Sequence, residues 1–351
     1  MYPSTRLFRF VSFVIIITLF VGLAIACEKE EASKPEPEKQ PVTVTLYLAA
    51  PQIEYAGIYA AISQGYFEDE KLNVELVFSV TADQAVSNSD PIDALERGDI
   101  AFVDGTAETL LRRRQRGLDF VAVLTQYQRD SRSIISIPSK QIESPQDLAG
   151  KRLLILPGNA TITSVFFQAA GVNPDEITLV DAEGQGIDWV VTQLITGAVD
   201  ALVFSIEVAA QMDAAGLGSK WIAFYDYGVQ SYANVLCTSR QMITQHPDVV
   251  QRFVNAVLRG LQHVIDRPEE VAAWFVENYG DQLHPLQLDV QDEAILAIIP
   301  LIQTATSKPG MMSPDAWEYL NQTMVEAGLL EPGLTTADTY TLKFLDAYYK
   351  Q

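Results

Sequence analysis

Polar and aromatic side chains that could grip a small molecule gather in a few loops. Gln52, Tyr55 and Tyr59 stand in Pro51–Tyr59, Asp104 and Thr106 in Asp104–Thr109, and Asn159 and Thr161 in Pro157–Thr163. Glu207 lies in Ser205–Val208, and Tyr225, Asp226, Tyr227, Tyr232 and Asn234 follow in Tyr225–Asn234. Tyrosines beside amides and carboxylates suit a flat, neutral, nitrogen-rich ring, because aromatic faces stack and ring edges need directed hydrogen bonds. Gln52 and Asn159 can each donate and accept, matching an imide edge. Glu207 or Asp226 can accept from a ring N–H or pair with an exocyclic amine, and such a site rejects ligands that leave its polar groups unpaired. None of these loops contains Lys or Arg. Sites for sulfonate, nitrate or phosphate usually rely on those charges, although a helix N-terminus can hold an anion unaided. Arg129 and Arg132, near the expected hinge, are the exceptions to weigh.

Each of these residues also has a plain structural role open to it. Tyr55 and Tyr59 are four apart and share one helical face, the usual mark of core contact. Asp104-Gly105-Thr106 and Pro157-Gly158-Asn159 can simply cap the helices that follow. Glu207 opens a helix, where a carboxylate is favourable without any ligand.

Catalytic or metal chemistry has little to build on. The three histidines, His246, His263 and His284, are far apart and lack ligand spacing. No His falls in the loops above, so no Ser-His-Asp set is expected. The two cysteines are Cys27 and Cys237, and Cys237 sits in an apolar run that reads as a buried strand. We expect neither metal nor cofactor.

The elements that must position the loops alternate. From Val42 to Gln126, and again from Leu153 to Phe224, short β-rich runs alternate with helical stretches, the pattern of mostly parallel sheets covered by helices. From Pro247 onward the chain turns almost wholly helical, with Asp248–Ile265 and Pro268–Tyr279 the best examples. About 310 residues exceed what one core usually holds, so two lobes are expected. They are assigned as 42–132 for lobe 1, 133–235 for lobe 2 and 236–351 for a helical return to lobe 1. Crossings near Arg132–Pro138 and Tyr232–Thr238 would form a two-strand hinge.

The N-terminus addresses the chain to a membrane. Arg6 and Arg9 precede an uncharged run from Phe10 to Ala26, the parts of a secretory signal spanning 1–26. Cys27 follows small residues and resembles the lipidated cysteine of a bacterial lipobox, departing from it in having Ala24 where Leu is commonest. Residues 27–41, charged and rich in Pro, read as a flexible tether. A lipid-anchored protein on the extracytoplasmic face of the cell membrane follows. The net charge of -21 should repel nucleic acid. Arg112-Arg113-Arg114 with Arg116 is the local exception, read as a solvated helix face or a docking contact.

A family resemblance runs through most of the chain. It begins at Leu48-Ala49-Ala50-Pro51-Gln52-Ile53-Glu54-Tyr55-Ala56-Gly57-Ile58-Tyr59, followed by Gly65-Tyr66-Phe67-Glu68 and Leu72-Asn73-Val74-Glu75. It continues in Leu148-Ala149-Gly150-Lys151, Gly197-Ala198-Val199-Asp200-Ala201, Asn255-Ala256-Val257-Leu258-Arg259-Gly260 and Met312-Ser313-Pro314-Asp315-Ala316-Trp317. These segments resemble the ABC-importer solute-binding lipoproteins for thiamine-pyrimidine precursors, riboflavin, sulfonates and nitrate, with the riboflavin-binding components nearest. The resemblance implies an α/β two-lobed periplasmic-binding-protein clamshell of type II, each lobe a mostly parallel sheet flanked by helices. It also implies a monomer that closes on its ligand and hands it to an ABC permease and its ATPase. Riboflavin is the expected ligand, with a thiamine pyrimidine precursor or an anion of the sulfonate or nitrate kind as alternatives. Two other classes are weighed: an anchored enzyme like the eukaryotic pyrimidine synthase, and a partner of a membrane ligand sensor. The enzyme's pocket carries a cysteine cluster and a histidine, whereas here Tyr55 takes the histidine's place and no such cluster exists.

Overall fold

The structure, a computed structural model, describes residues 40–79, 91–182, 187–282 and 290–350. The expected signal, Cys27 and nearly all of the tether lie outside the described residues. Among the described residues no helix is long and apolar enough to cross a membrane.

Strands β1 (Val42–Leu48), β2 (Leu72–Phe78), β3 (Phe102–Gly105), β4 (Phe120–Thr125) and β10 (Val235–Ser239) form one sheet. Strands β5 (Arg132–Ser136), β6 (Arg152–Ile155), β7 (Thr178–Asp181), β8 (Ala201–Ser205) and β9 (Lys220–Ala223) form the other. The orders are β2-β1-β3-β10-β4 and β7-β6-β8-β5-β9, so the two lobes share one plan. In each, a parallel core takes in a single antiparallel strand: β10 runs against β3 and β4, and β5 runs against β8 and β9. The hinge expectation needs correction here. Arg132–Ser136 and Val235–Ser239 are themselves the antiparallel strands, so the chain changes lobe just before each. A bond from Gln126 N–H to the Asn234 carbonyl, 2.8 Å, ties one crossing to the other.

The longer helices are α1 (Ala56–Ser63), α2 (Ala107–Gln115), α3 (Ala160–Ala170), α4 (Ile187–Ile195) and α5 (Ile206–Ala214). The helical tail adds α6 (Pro247–Asp266), α7 (Pro268–Tyr279), α8 (Gln291–Ile302), α9 (Pro314–Glu326) and α10 (Lys343–Tyr349). Local sequence sets their ends: the Thr106 hydroxyl accepts from Thr109 N–H at the start of α2, and Gly171 closes α3 at φ +66°. The tail folds back on lobe 1, where α6 buries one whole face against α1. That contact needs glycine, since a Cβ on Gly260 would lie 2.0 Å from the Gly57 carbonyl oxygen. Because α1 starts directly after the turn at Ile53–Tyr55, this close approach also fixes the turn that carries Gln52, Glu54 and Tyr55. Helix α8 lies against both that turn and α5 of lobe 2, bridging the lobes.

Candidate functional site

Between the lobes, at the C-terminal ends of β1, β3, β6 and β8, lies a cleft of about 230 Å³. Ends of parallel strands beside a reversal of strand order are where open α/β sheets bind ligands. Lobe 1 and the second crossing contribute Gln52, Glu54, Tyr55, Asp104, Thr106 and Asn234, and lobe 2 contributes Leu156, Asn159, Phe204 and Ser205. Ser131 and Arg132 come from the first crossing and the start of β5.

The lobe 1 wall is acidic and hydrogen-bonded to itself. Glu54 bonds to the side chains of Tyr55 and Asn234, and Asp104 bonds to Tyr55 and to Gln126 Nε2, the latter at 3.4 Å. Tyr127 OH donates to the Glu54 carbonyl oxygen at 2.7 Å, bracing the turn from below. Burial raises the pKa of Glu54 and, with the nearby Glu54 charge, raises that of Asp104 well above the usual carboxylate range. Burial likewise pushes the Tyr55 hydroxyl up, so at neutral pH it stays a proton donor between two carboxyls. Glu207, at the start of α5, is 5% exposed; burial, then repulsion from Glu54, raises its pKa to about 8. One of its carboxyl oxygens has no hydrogen-bond partner among the described residues.

The cleft's cation is neutralised in place. Arg132 is 4% exposed, and each of its three nitrogens donates to a carboxylate. Nε meets Asp130 at 2.7 Å and Nη1 meets Glu108 of α2 at 2.5 Å, while Nη2 reaches both residues. Glu108 thus reaches from lobe 1 to the first strand of the second sheet, and it also accepts from the Ser231 hydroxyl at 3.4 Å. The opposite wall is different: Leu156 and Phe204 give it an apolar surface, and Asn159 Nδ2 donates to the Val203 carbonyl at 3.3 Å.

The structure therefore brings together Gln52, Tyr55, Asp104, Thr106, Asn159 and Asn234 and separates the other candidates from them. Tyr59 needs correction as a ligand-facing ring: it is 0% exposed and stacks on Phe275 at 5.1 Å between Trp274 and Tyr279. Tyr55 meets the cleft, but with its ring buried it offers its hydroxyl and not a stacking face. Thr161 lies outside the cleft lining and accepts from Arg112 Nη1 at 3.1 Å, a contact between α2 and α3 across the lobes. Tyr225, Asp226 and Tyr232 line a second, wider groove of about 930 Å³, bounded by the crossings and the helical tail. There Tyr232 OH accepts from Ser313 N–H at 2.8 Å and its ring leans on Trp317. Glu207 is enclosed beside the cleft without lining it.

Sequence reading passed over Glu54, Leu156, Phe204 and Ser131. Leu156 and Phe204 have a legible signal, since each is the last apolar residue of a run leading out of a parallel strand. Glu54 had one too, as a charged residue inside the otherwise apolar opening of a helix.

Comparisons with known proteins bear on the family and the fold. Residues 52–271 match the family described as NMT1/THI5 like. The chain is 23% identical over 337 residues to the formylaminopyrimidine-binding protein of Halalkalibacterium halodurans, covering 94% of this chain and 98% of that one. It is 25% identical over 330 residues to the riboflavin-binding protein RibY of Chloroflexus aurantiacus, covering 89% of each. Among solved structures, the alkanesulfonate-binding protein SsuA from Xanthomonas axonopodis pv. citri, bound to MOPS, superposes with a TM-score of 0.65 at 14% identity, over 86% of this chain and 99% of that one.

Proposed function

The chain belongs to the NMT1/THI5-like family, and on that premise we propose that it captures a small, single-ring nitrogen heterocycle bearing an amine, of the aminopyrimidine class, for an ABC importer. Its two-lobed fold and family place it with the solute-binding proteins of such importers. One observation carries the ligand reading: Glu54 and Asp104 face a cleft whose arginine is already held by Glu108 and Asp130. Such a cleft offers acceptors to ring N–H and amine donors and has no open cation for a sulfonate or nitrate. Its 230 Å³ also lies below the roughly 300–1,000 Å³ of pockets for drug-sized ligands, which favours one ring over a tricyclic flavin. The ring would lie against Leu156 and Phe204 of lobe 2, with its polar edge toward lobe 1. Closing the lobes joins the two walls, so the ligand favours the closed state.

Calorimetric titration of the refolded protein from residue 28 onward with 4-aminopyrimidines, riboflavin and an alkanesulfonate tests this. Saturable one-to-one binding at micromolar or tighter affinity is expected for the aminopyrimidine, and weak or absent heat for the sulfonate. Tight sulfonate binding with a silent aminopyrimidine would sink it. Riboflavin is the second reading, favoured by the RibY likeness; it requires the lobes to stand further apart around a tricyclic ring. The lipid on Cys27 and delivery to a permease with its ATPase belong to the same proposal. Expression of Cys27→Ala in the native membrane should release the protein from the membrane fraction. Retention of that variant would remove the anchor.

A further inference from the structure

Glu108 does not line the cleft, yet it bonds to a residue of each crossing between the lobes. It is 1% exposed on α2 of lobe 1, bonded to Arg132 where β5 of the second sheet begins and to Ser231 of the second crossing. Asp130 is the local partner of the same arginine, and its Oδ1 also accepts the Arg132 backbone N–H at 2.9 Å, which shapes the turn between crossing and strand. Glu108 is the remote partner, and the turn does not need it. One cation thus answers to two carboxylates before Glu54 and Asp104 are counted. Removing Glu108 alone would leave the guanidinium balanced by Asp130 and make the cleft lining more positive by one charge.

We propose that Glu108, acting through Arg132, sets the sign of charge that the cleft accepts, and so is a positioning residue for specificity that never meets the ligand. The inference rests on the reading above, in which the cleft takes an amine-bearing ring. Its physical basis is that a buried charge is poorly screened, so a change of one unit beside a ligand acts on charged substituents in opposite directions. A role confined to folding would weaken every ligand alike.

The test uses two single-ring pyrimidines that differ in one substituent, aminomethyl in one and carboxylate in the other, titrated into wild type and Glu108→Gln. Wild type is expected to prefer the amine, and the variant should lose roughly tenfold or more of that preference. Glu108→Asp keeps the negative charge facing Arg132 and should hold the preference to within about threefold of wild type. An unchanged preference in a folded E108Q, judged by its thermal melt, overturns the inference while leaving the functional reading intact. Wild type that binds neither probe removes the reading itself, and this inference with it. Should E108Q fail to fold, Asp130→Asn makes the same change of charge at the same guanidinium and takes its place, with the same two outcomes.

Discussion

Arg129 and Arg132 leave the same crossing and enter two different environments. Arg132 turns into the cleft and is wrapped by two carboxylates, whereas Arg129 is exposed in the wider groove and lies over the Tyr225 ring at 5.2 Å. Lys308 is held in the same manner over Tyr349 at 4.6 Å. Aromatic faces orient these cations without neutralising them. The groove is about four times as large as the cleft by volume, 930 against 230 Å³, yet its lining is mostly exposed or half-buried and its charged side chains are solvated. Size alone would therefore nominate the wrong cavity. What distinguishes the cleft is polar groups withdrawn from water, oriented by one another and placed where parallel strands end.

Substitutions can break that contrast. Arg132→Met strands Glu108 and Asp130 in the interior and should destabilise by about 3–5 kcal/mol in urea unfolding, since removing one partner leaves buried charge uncompensated. Arg129→Met should cost under about 0.5 kcal/mol in the same assay. Equal effects at the two sites would erase the distinction drawn between them.

Glu207 gives the next largest effect, with the opposite sign. Its pKa, about 8 in the folded chain, stands above the ordinary carboxylate value of 4.5. Between those values the unfolded chain releases a proton that the folded chain keeps, so stability falls as pH rises through this window. Glu207→Gln should therefore be more stable than wild type by up to about 3 kcal/mol near pH 7 and indistinguishable from it below about pH 4. A gain that persists in acid would point to a cause other than its charge.

In ligand binding, Glu54→Gln or Asp104→Asn should weaken an aminopyrimidine roughly tenfold to a hundredfold, the cost of leaving one enclosed donor of the ligand without its acceptor. Tyr225→Phe and Lys308→Ala, in the groove, should move it by less than about threefold. A groove substitution that matched the carboxyl variants would put the ligand in the groove.

Much of the scaffold was legible because it rests on local chemistry. The cap at Thr106, the stop at Gly171 and the alternation of strands with helices are each settled by a few neighbouring residues. The site was legible only to the level of loops. Tyr55 and Tyr59 share a helical face, but whether that face meets ligand or core depends on α6 and α7, which lie some two hundred residues later in the chain. The crossings presented a similar ambiguity, since Tyr232 and Asn234 are close in sequence and line different cavities. Arg132 could be noticed from sequence, but its neutralisation could not, because Glu108 belongs to another lobe.

The exchange of antiparallel strands bears on how the chain is made. As it leaves the ribosome, the second sheet has all its strands once Ala223 has emerged, while the first still lacks β10, the strand between β3 and β4. Even then β4 awaits Tyr340, since Ala122 N–H bonds to the Thr339 carbonyl and Thr341 N–H to the Ala122 carbonyl, both at 2.9 Å. The lobe begun first is thus finished last and must close a far longer loop of chain, the kind of contact that slows folding. A nascent chain held short of its final helices would carry one complete lobe and one open sheet.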